Sequence, residues 1–218
     1  LEKLSYNHHA YNIIDNVKGM NFFSGFHLSE IHKFRYIIGF SSHQMSYNTE
    51  LLYKYLDARV KYYYDSRDVY IDPTKGIFIK LNLDNRIGIS STKSIFQFEI
   101  DGQSYVSMVK QFPNPVVSYR FNLYLQMSND EIPLFFKEYI GGYELVKGYS
   151  SIPNENDNFS HLIEFDNYLF QSLKVQSTLL PRQILFSILG KEVEVGCDFK
   201  FFFDYGVGSR QKENFDLI

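Results

Sequence analysis

Residues Val117–Met127 have the sequence VSYRFNLYLQM, the most regular alternation in the chain. The odd-numbered positions are apolar or aromatic, whereas the even-numbered positions are polar apart from one tyrosine. A strict period of two predicts a strand with one apolar and one polar face. Its length of about ten residues suits a tilted membrane crossing, whereas ordinary strands have about five or six residues.

The composition is that of a folded protein rich in strands. Of the 218 residues, 44% are hydrophobic and 22% are charged, which excludes a disordered chain. Aromatic residues reach 18%, with 21 Phe and 18 Tyr, and these favour strands and the rims of membrane barrels. The net charge is −3 and no basic run occurs, so we expect no nucleic-acid partner.

Hydropathy and cysteine content further limit the class of protein. No run of 18 apolar residues occurs, so the sequence predicts no membrane-spanning helix, although alternating strands would escape this test. The single Cys197 cannot form an internal disulfide, and no basic neighbour activates it, so we expect an inert thiol. Because the chain starts at Leu1 without a signal peptide, we expect targeting information to lie outside it.

Other alternating segments predict further strands at residues 32–40, 48–65, 77–83, 95–100, 105–110, 161–175 and 193–205. Residues 31–38 and 52–60 also fit a helical stripe, and strand is chosen for both because the alternation covers more positions. Asp72–Gly76 predicts a turn, and Asp84–Arg86 a bend or strand end. Asp101-Gly102 predicts the tip of a hairpin.

Three segments lack this alternation. Leu1–Gly25 is interpreted as loop with at most a short strand, and the Asn-rich residues Ser150–Ser160 as loop. Pro181–Leu189, which begins with proline and precedes Gly190, predicts a short helix.

The segment Ile132–Tyr149 has the sequence IPLFFKEYIGGYELVKGY and follows the most regular strand. It is too apolar for an ordinary exposed loop, and its three glycines permit backbone angles that other residues avoid. We therefore expect it to fold back against protein rather than into solvent.

Three blocks in order resemble the bacterial surface-antigen family of outer-membrane β-barrels, whose best-known members are the BamA-type insertases. Tyr64–Asp68 with Asp72–Gly76 is similar to the strand-turn-strand block of that family. Within Ile132–Tyr149, the Ile-Pro-Leu-Phe, Gly-Gly and Val-Lys-Gly-Tyr elements resemble its long loop. Phe202–Gly206 resembles a later strand, and Ile163–Phe165 resembles more weakly the strand between them.

The resemblance implies an all-β fold, an antiparallel transmembrane barrel of about sixteen strands. Residues 1–218 would form part of one such domain, either an incomplete barrel or a piece of a longer chain, with an inward-folded loop near residues 132–160. The loop motif Val146, Lys147, Gly148 and Tyr149 would enter the lumen, where Lys147 would face Asp204. The family carries Arg at this place, and Lys lacks its planar two-pronged donor.

The resemblance also implies a function. The expected protein is a non-enzymatic outer-membrane barrel without a cofactor, which inserts or translocates other outer-membrane proteins. Its partners would be client proteins, subunits of an assembly complex and membrane lipid. One alternative is a barrel that anchors a patatin-like lipase domain. Another is a soluble, aromatic-rich α+β binding module, which would need helices at residues 48–60 and 181–189.

The remaining candidate sites have weaker signals. Asp65, Arg67 and Asp68 predict a charge network that holds a turn, which we favour over a cation site. The pairs His8-His9 and His27/His32 lack metal-ligand spacing, so surface positions are expected.

Carboxylates and rings on strands give two further interpretations. Glu164 and Asp166 share a strand face, and a polar lumen wall is favoured over acid–base chemistry. Tyr62-Tyr63-Tyr64 places rings on both faces of a strand, some of them at a membrane rim if the chain forms a barrel.

Overall fold

The structure, a computed structural model, describes residues 2–8, 13–47, 49–109, 114–128, 132–133, 136, 138–139, 164–188, 191–209 and 216–217. Within these residues the regular elements are twelve strands: β1 (Glu2–His8), β2 (Ile13–His27), β3 (His32–Tyr47), β4 (Thr49–Asp65), β5 (Gly76–Gly88), β6 (Ile95–Ser107), β7 (Val116–Ser128), β8 (Glu138–Tyr139), β9 (Glu164–Phe165), β10 (Asn167–Ile188), β11 (Lys191–Ser209) and β12 (Asp216–Leu217).

Ten strands form one sheet in the order β1-β2-β3-β4-β5-β6-β7-β10-β11-β12, and every ladder in it is antiparallel. The two short strands β8 and β9 pair separately, with Glu138 opposite Phe165. Sequence neighbours are therefore sheet neighbours, except where the segment between β7 and β10 leaves the sheet. The predicted strands at 32–40, 77–83 and 193–205 are confirmed, each within a longer strand, and the strand predicted at 48–65 is confirmed over residues 49–65.

The two faces of the sheet differ in polarity. In β7, the polar side chains of Ser118, Asn122 and Gln126 are buried, whereas Tyr119 and Met127 on the opposite face are exposed. This alternation matches the predicted faces of Val117–Met127.

The same contrast continues across the sheet. Exposed apolar side chains of the outer face include Met20, Phe22, Phe26, Ile38, Phe40, Leu56, Val60, Leu83, Ile87, Leu173, Phe201 and Phe203. A soluble sheet buries its apolar face, so the inverted arrangement is typical of a wall with lipid outside and polar groups inside.

No helix in the described part of the chain is long and apolar enough to cross a membrane.

The prediction of a hairpin tip at Asp101-Gly102 is wrong, because β6 continues through both residues. Asp101 points to the polar face, where its carboxylate accepts hydrogen bonds from Arg120 at 2.7 and 3.1 Å. A Cβ atom on Gly102 would collide with the ring of Phe121 on the neighbouring strand. The glycine therefore makes room for an aromatic ring rather than for a turn.

The predicted helix at Pro181–Leu189 is also wrong, since these residues lie in β10 as far as Ile188. Proline removes a ladder donor, which strands tolerate at bulges and edges. The β10–β11 register shifts between Leu180 and Gln183, and pairing of β10 with β7 ends at Gln176. Pro181 thus occupies an irregular position with no neighbour on its β7 side among the described residues.

Two further predictions are wrong, because strands pair in segments where the sequence alternation is weak. Leu1–Gly25 contains β1 and most of β2, and β5 runs through Asp84–Arg86 to Gly88 without ending. Residues 49–60 and 181–188 lie in strands, so the soluble α+β alternative loses both of its required helices and is wrong. Ser150–Ser160 lies outside the described residues.

Candidate functional site: the polar wall and the segment Ile132–Phe136

The polar face of the sheet carries a chain of ion pairs from β4 to β5. Arg59 on β4 contacts the Asp84 carboxylate through Nε at 2.8 Å. The same Asp84 oxygen accepts from Arg86 at 3.0 Å, and Arg86 also lies 3.6 Å from Asp57. Because these side chains alternate with outward-facing apolar ones, the period of two in the sequence assembles the network.

The network continues onto β6 and β7. Lys80 binds Glu99 at 2.9 Å, and Asn122 donates to Glu99 at 3.3 Å. Gln97 donates to the Tyr124 hydroxyl at 2.7 Å, and that hydroxyl donates to Gln126 at 3.2 Å. Gln97, Tyr124 and Gln126 are buried, and their side chains are hydrogen-bonded to one another, as buried polar groups usually are.

Ile132 and Phe136, which follow β7, pack on this polar wall. Ile132 and Phe136 form a buried cluster with Tyr55 and Ile95, and Ile132 is only 3% exposed. The Phe136 ring meets the ring of Tyr55 edge-on at 5.4 Å. The start of the loop between β7 and β10 therefore lies over the polar face and not over the apolar one.

Polar groups of the wall also hold this segment. The Arg86 guanidinium lies 4.0 Å from the centre of the Phe136 ring, and the His43 ring approaches it edge-on at 5.2 Å. Gln126 donates a hydrogen bond to the Phe136 carbonyl at 3.2 Å. A cation over an aromatic face is worth about 2 kcal/mol or more when desolvated. Arg86 thus joins the ion-pair network to the root of the loop.

The turn between β4 and β5 is held by two carboxylates. Asp65 binds Arg67 through two contacts of 2.8 Å, and the Arg67 guanidinium lies 4.6 Å from the centre of the Phe78 ring. Asp68 accepts from the Thr74 hydroxyl at 2.6 Å and from the Thr74 amide at 2.9 Å.

Asp68 also accepts from the Lys75 amide at 3.2 Å. The hydrogen bond from the Thr74 side chain, with the backbone donors, lowers the pKa of Asp68 to about 2. A Cβ on Gly76 would collide with the Ser66 backbone, and its φ of 103° suits glycine. Both carboxylate oxygens of Asp65 and of Asp68 accept hydrogen bonds from protein donors, so these two side chains stabilise the turn.

Asp204 lies on the polar face of β11. It is opposite Ser172 of β10, whose hydroxyl donates to the Asp204 carboxylate at 2.6 Å, and Ser172 is in turn opposite Arg120 of β7. The loop motif Val146, Lys147, Gly148 and Tyr149 lies outside the described residues, so its pairing with Asp204 remains a prediction.

Comparison with known proteins agrees with this architecture. Residues 11–215 match the Omp85 superfamily domain. The chain belongs to the Omp85 superfamily. Its structure is similar to that of BamA from Haemophilus ducreyi lacking POTRA domains 1–3, with a TM-score of 0.72 and 14% sequence identity. The match covers 95% of this chain and 45% of that one, so the chain spans less than half of the BamA structure.

No curated protein matches the chain. The Omp85 match and the BamA-like structure establish an all-β antiparallel fold of the outer-membrane barrel type. Among the described residues β1 and β12 are the two ends of the sheet and do not pair, so this Omp85 sheet is open.

The other candidate residues of this Omp85 chain are distributed over wall, rim and surface. His32 on the outer face donates to or accepts from the Tyr62 hydroxyl at 2.7 Å. Tyr62 also contacts the Phe34 ring at 4.8 Å, which forms an aromatic patch at one strand end. Cys197 is a free, exposed thiol, and Asp166 is buried between β9 and β10. The described residues hold no group of three or more metal-ligating side chains.

Sequence reasoning missed the residues that hold the loop root, namely His43, Tyr55, Asp57, Arg86 and Gln126. Each lies on the polar face of its strand, at the period of two that was already visible for Asp57 and Gln126. That period indicates which side chains share the wall of an Omp85 sheet. It cannot indicate which of them meet Phe136, because that contact depends on the path of the loop.

Proposed function

We propose that this chain forms part of the wall of an outer-membrane barrel that inserts or translocates other outer-membrane proteins. The single observation that carries the proposal is the Omp85 superfamily match over residues 11–215. The wall agrees with it, since exposed apolar side chains cover one face and ion-paired groups the other. A lipid bilayer is the environment in which such a wall is stable, and the outer membrane is the proposed location.

The loop between β7 and β10 is proposed to fold through the interior of the barrel. Support comes from Ile132 and Phe136, which pack on the polar face beside Tyr55. In this proposal the motif Val146–Tyr149 continues along the same interior and Lys147 pairs with Asp204. The charges are opposite, and an ion pair in a lumen of reduced dielectric is stronger than one in water.

The mechanism that we propose is physical and needs no bond chemistry. An open sheet edge presents unpaired N–H and C=O groups, which a client strand can pair with by adding itself to the sheet. Clients would be other outer-membrane proteins, subunits of an assembly complex would deliver them, and lipid would cover the outer face. The turn residues Asp65, Arg67 and Asp68 would fix the geometry of the wall.

The test is reconstitution of the full-length protein in lipid vesicles. A small unfolded outer-membrane barrel is added, and its insertion is followed by protease protection and by heat-dependent migration on gels. The proposal predicts faster insertion than in empty vesicles and in vesicles that carry an unrelated barrel. Equal rates in all three preparations would refute it.

The full-length reading frame tests the alternative in which the barrel anchors a patatin-like lipase domain. A patatin-like domain ahead of the barrel, with esterase activity in the purified protein, would make the barrel an anchor. Insertion activity without such a domain would leave the first proposal.

A further inference from the structure

Three cations on the polar face lie side by side without an ion pair. Arg35 of β3 is directly opposite Lys61 of β4, and Lys33 is two positions from Arg35 on the same face. We refer to Lys33, Arg35 and Lys61 as the cation strip. Successive residues on one face of a strand lie about 7 Å apart and opposed residues about 5 Å apart, so the three stems start within a small area.

The cation strip differs from the rest of the wall. Arg59, Lys80, Arg86 and Arg120 on β4–β7 are each ion-paired, to Asp84, Glu99, Asp57 and Asp84, and Asp101 respectively. No member of the strip has such a pair within the described part of the chain. Like charges directly opposite each other in a sheet are destabilising. The ion pairing of Arg59, Lys80, Arg86 and Arg120 is therefore absent at the strip, among the described residues, at a cost in stability.

Neighbouring carboxylates compensate for this charge only in part, because Asp65 and Glu99, which attract Lys33 and Lys61 at longer range, are each bound directly to another cation. Asp65 at the end of β4 is held by Arg67, and Glu99 of β6 is held by Lys80 with both of its oxygens at 2.9 Å. Lys61 is flanked on β4 by the paired Arg59 and is opposite Asn82 of β5. The strip is thus a local excess of positive charge on the wall formed by β3 to β7.

From this arrangement we propose that the cation strip is a binding position for acidic polypeptide segments that pass along the inner face of the barrel. The strip faces away from the apolar outer side, so lipid headgroups at the rim are not its ligand. A row of separate amino and guanidinium groups suits a row of carboxylates on a flexible chain. The proposal rests on the proposed function, because it assumes that client segments enter the interior.

The test uses the full-length protein in detergent and a short fluorescein-labelled oligoglutamate, with binding followed by fluorescence anisotropy. We expect binding that weakens as salt rises, because exposed charges are screened. The double variant R35Q/K61Q should bind roughly fivefold to tenfold more weakly, since it removes two of the three charges and an exposed ion pair is individually weak. Its fold should persist, because the change removes a repulsion and leaves no buried group unpaired.

The matched control is the double variant K18Q/K54Q. Lys18 of β2 and Lys54 of β4 are both opposite Ser42 of β3 on the outer face, so K18Q/K54Q removes the same two charges without touching the strip. Wild-type binding by K18Q/K54Q supports the proposal, and an equal loss in K18Q/K54Q overturns it. Inorganic phosphate serves as a second competitor, at an equal concentration of charge. If it competes as strongly as oligoglutamate, the proposal is also overturned, because any anion would then suffice.

Two outcomes separate this inference from the proposed function. Loss of oligoglutamate binding in R35Q/K61Q with client insertion absent throughout would support the strip and refute insertion. No oligoglutamate binding by a wild-type protein that inserts clients would overturn the strip alone.

Discussion

The guanidinium of Arg86 stacks 4.0 Å from the centre of the Phe136 ring while it also binds Asp84 at 3.0 Å. One side chain thus couples the ion pairs of the wall to the segment that leaves the sheet after β7. The loop root is held by described contacts even though its motif Val146–Tyr149 lies farther along. The proposed inward path of the loop therefore has a physical origin that is independent of Lys147.

The first prediction concerns that contact. F136L keeps apolar bulk but removes the aromatic face, and R86Q removes the charge. A double-mutant cycle of urea unfolding in lipid vesicles should give a coupling of about 2 kcal/mol, the value for a desolvated cation over a ring. Additive effects would mean that Arg86 serves only Asp57 and Asp84.

The second prediction concerns Gly102 in the middle of β6. Alanine in a strand normally stabilises relative to glycine, but here its Cβ would meet the Phe121 ring. G102A should therefore lower the unfolding free energy by about 1–3 kcal/mol, the usual cost of overpacking. F121L should relieve most of that loss in the double variant. A G102A protein as stable as wild type would show that the ring moves freely.

How far the sequence predicts this fold depends on whether the signal is local. The alternation of Val117–Met127 identifies both faces, because a period of two follows directly from strand geometry. Asp101-Gly102 and Pro181 mislead, since turn residues also serve ring contacts and bulges inside long strands. What distinguishes the two uses is the neighbouring strand, which a single sequence window does not contain.

The candidate site likewise contains local contacts, which the sequence predicts, and contacts between distant strands, which it does not. Asp65, Arg67 and Asp68 are close in sequence, so their side chains can be related by inspection, and the structure brings Asp65 and Arg67 together. The contacts of Phe136 with His43, Tyr55 and Arg86 join strands that are distant in sequence. Only the order of strands in the sheet makes those residues neighbours.

The third prediction is a pH dependence at the turn. The pKa of Asp68 is lowered to about 2 by its hydrogen bonds, below the value of about 4 in an unfolded chain. The ionised group therefore stabilises the fold above pH 4, and that contribution disappears as the pH falls from about 4 to 2. The melting temperature of D68N should lie below that of wild type at pH 6 and converge with it near pH 2. A difference in melting temperature between wild type and D68N that is constant from pH 6 to pH 2 would contradict this role of Asp68.

The fourth prediction tests the proposed pair of Lys147 and Asp204. K147D and D204K should each reduce client insertion, because each places like charges together. The combined charge exchange should restore a large part of the activity. K147R should equal or exceed wild type, since Arg adds a second donor toward the carboxylate. Failure of the exchange to restore activity would argue that the two residues do not meet.

The inverted polarity of the sheet is the central claim, and a nitroxide scan of β7 tests it most directly. In a C197S background, single cysteines at residues 120 to 126 are labelled in the vesicle-bound full-length protein, and collision with oxygen and with a water-soluble nickel reagent is measured. The inverted polarity predicts high oxygen and low nickel accessibility at Phe121, Leu123 and Leu125. It predicts low oxygen accessibility at Arg120, Asn122 and Gln126. Equal oxygen accessibility in the two sets, or nickel reaching Leu123 and Leu125, would contradict it.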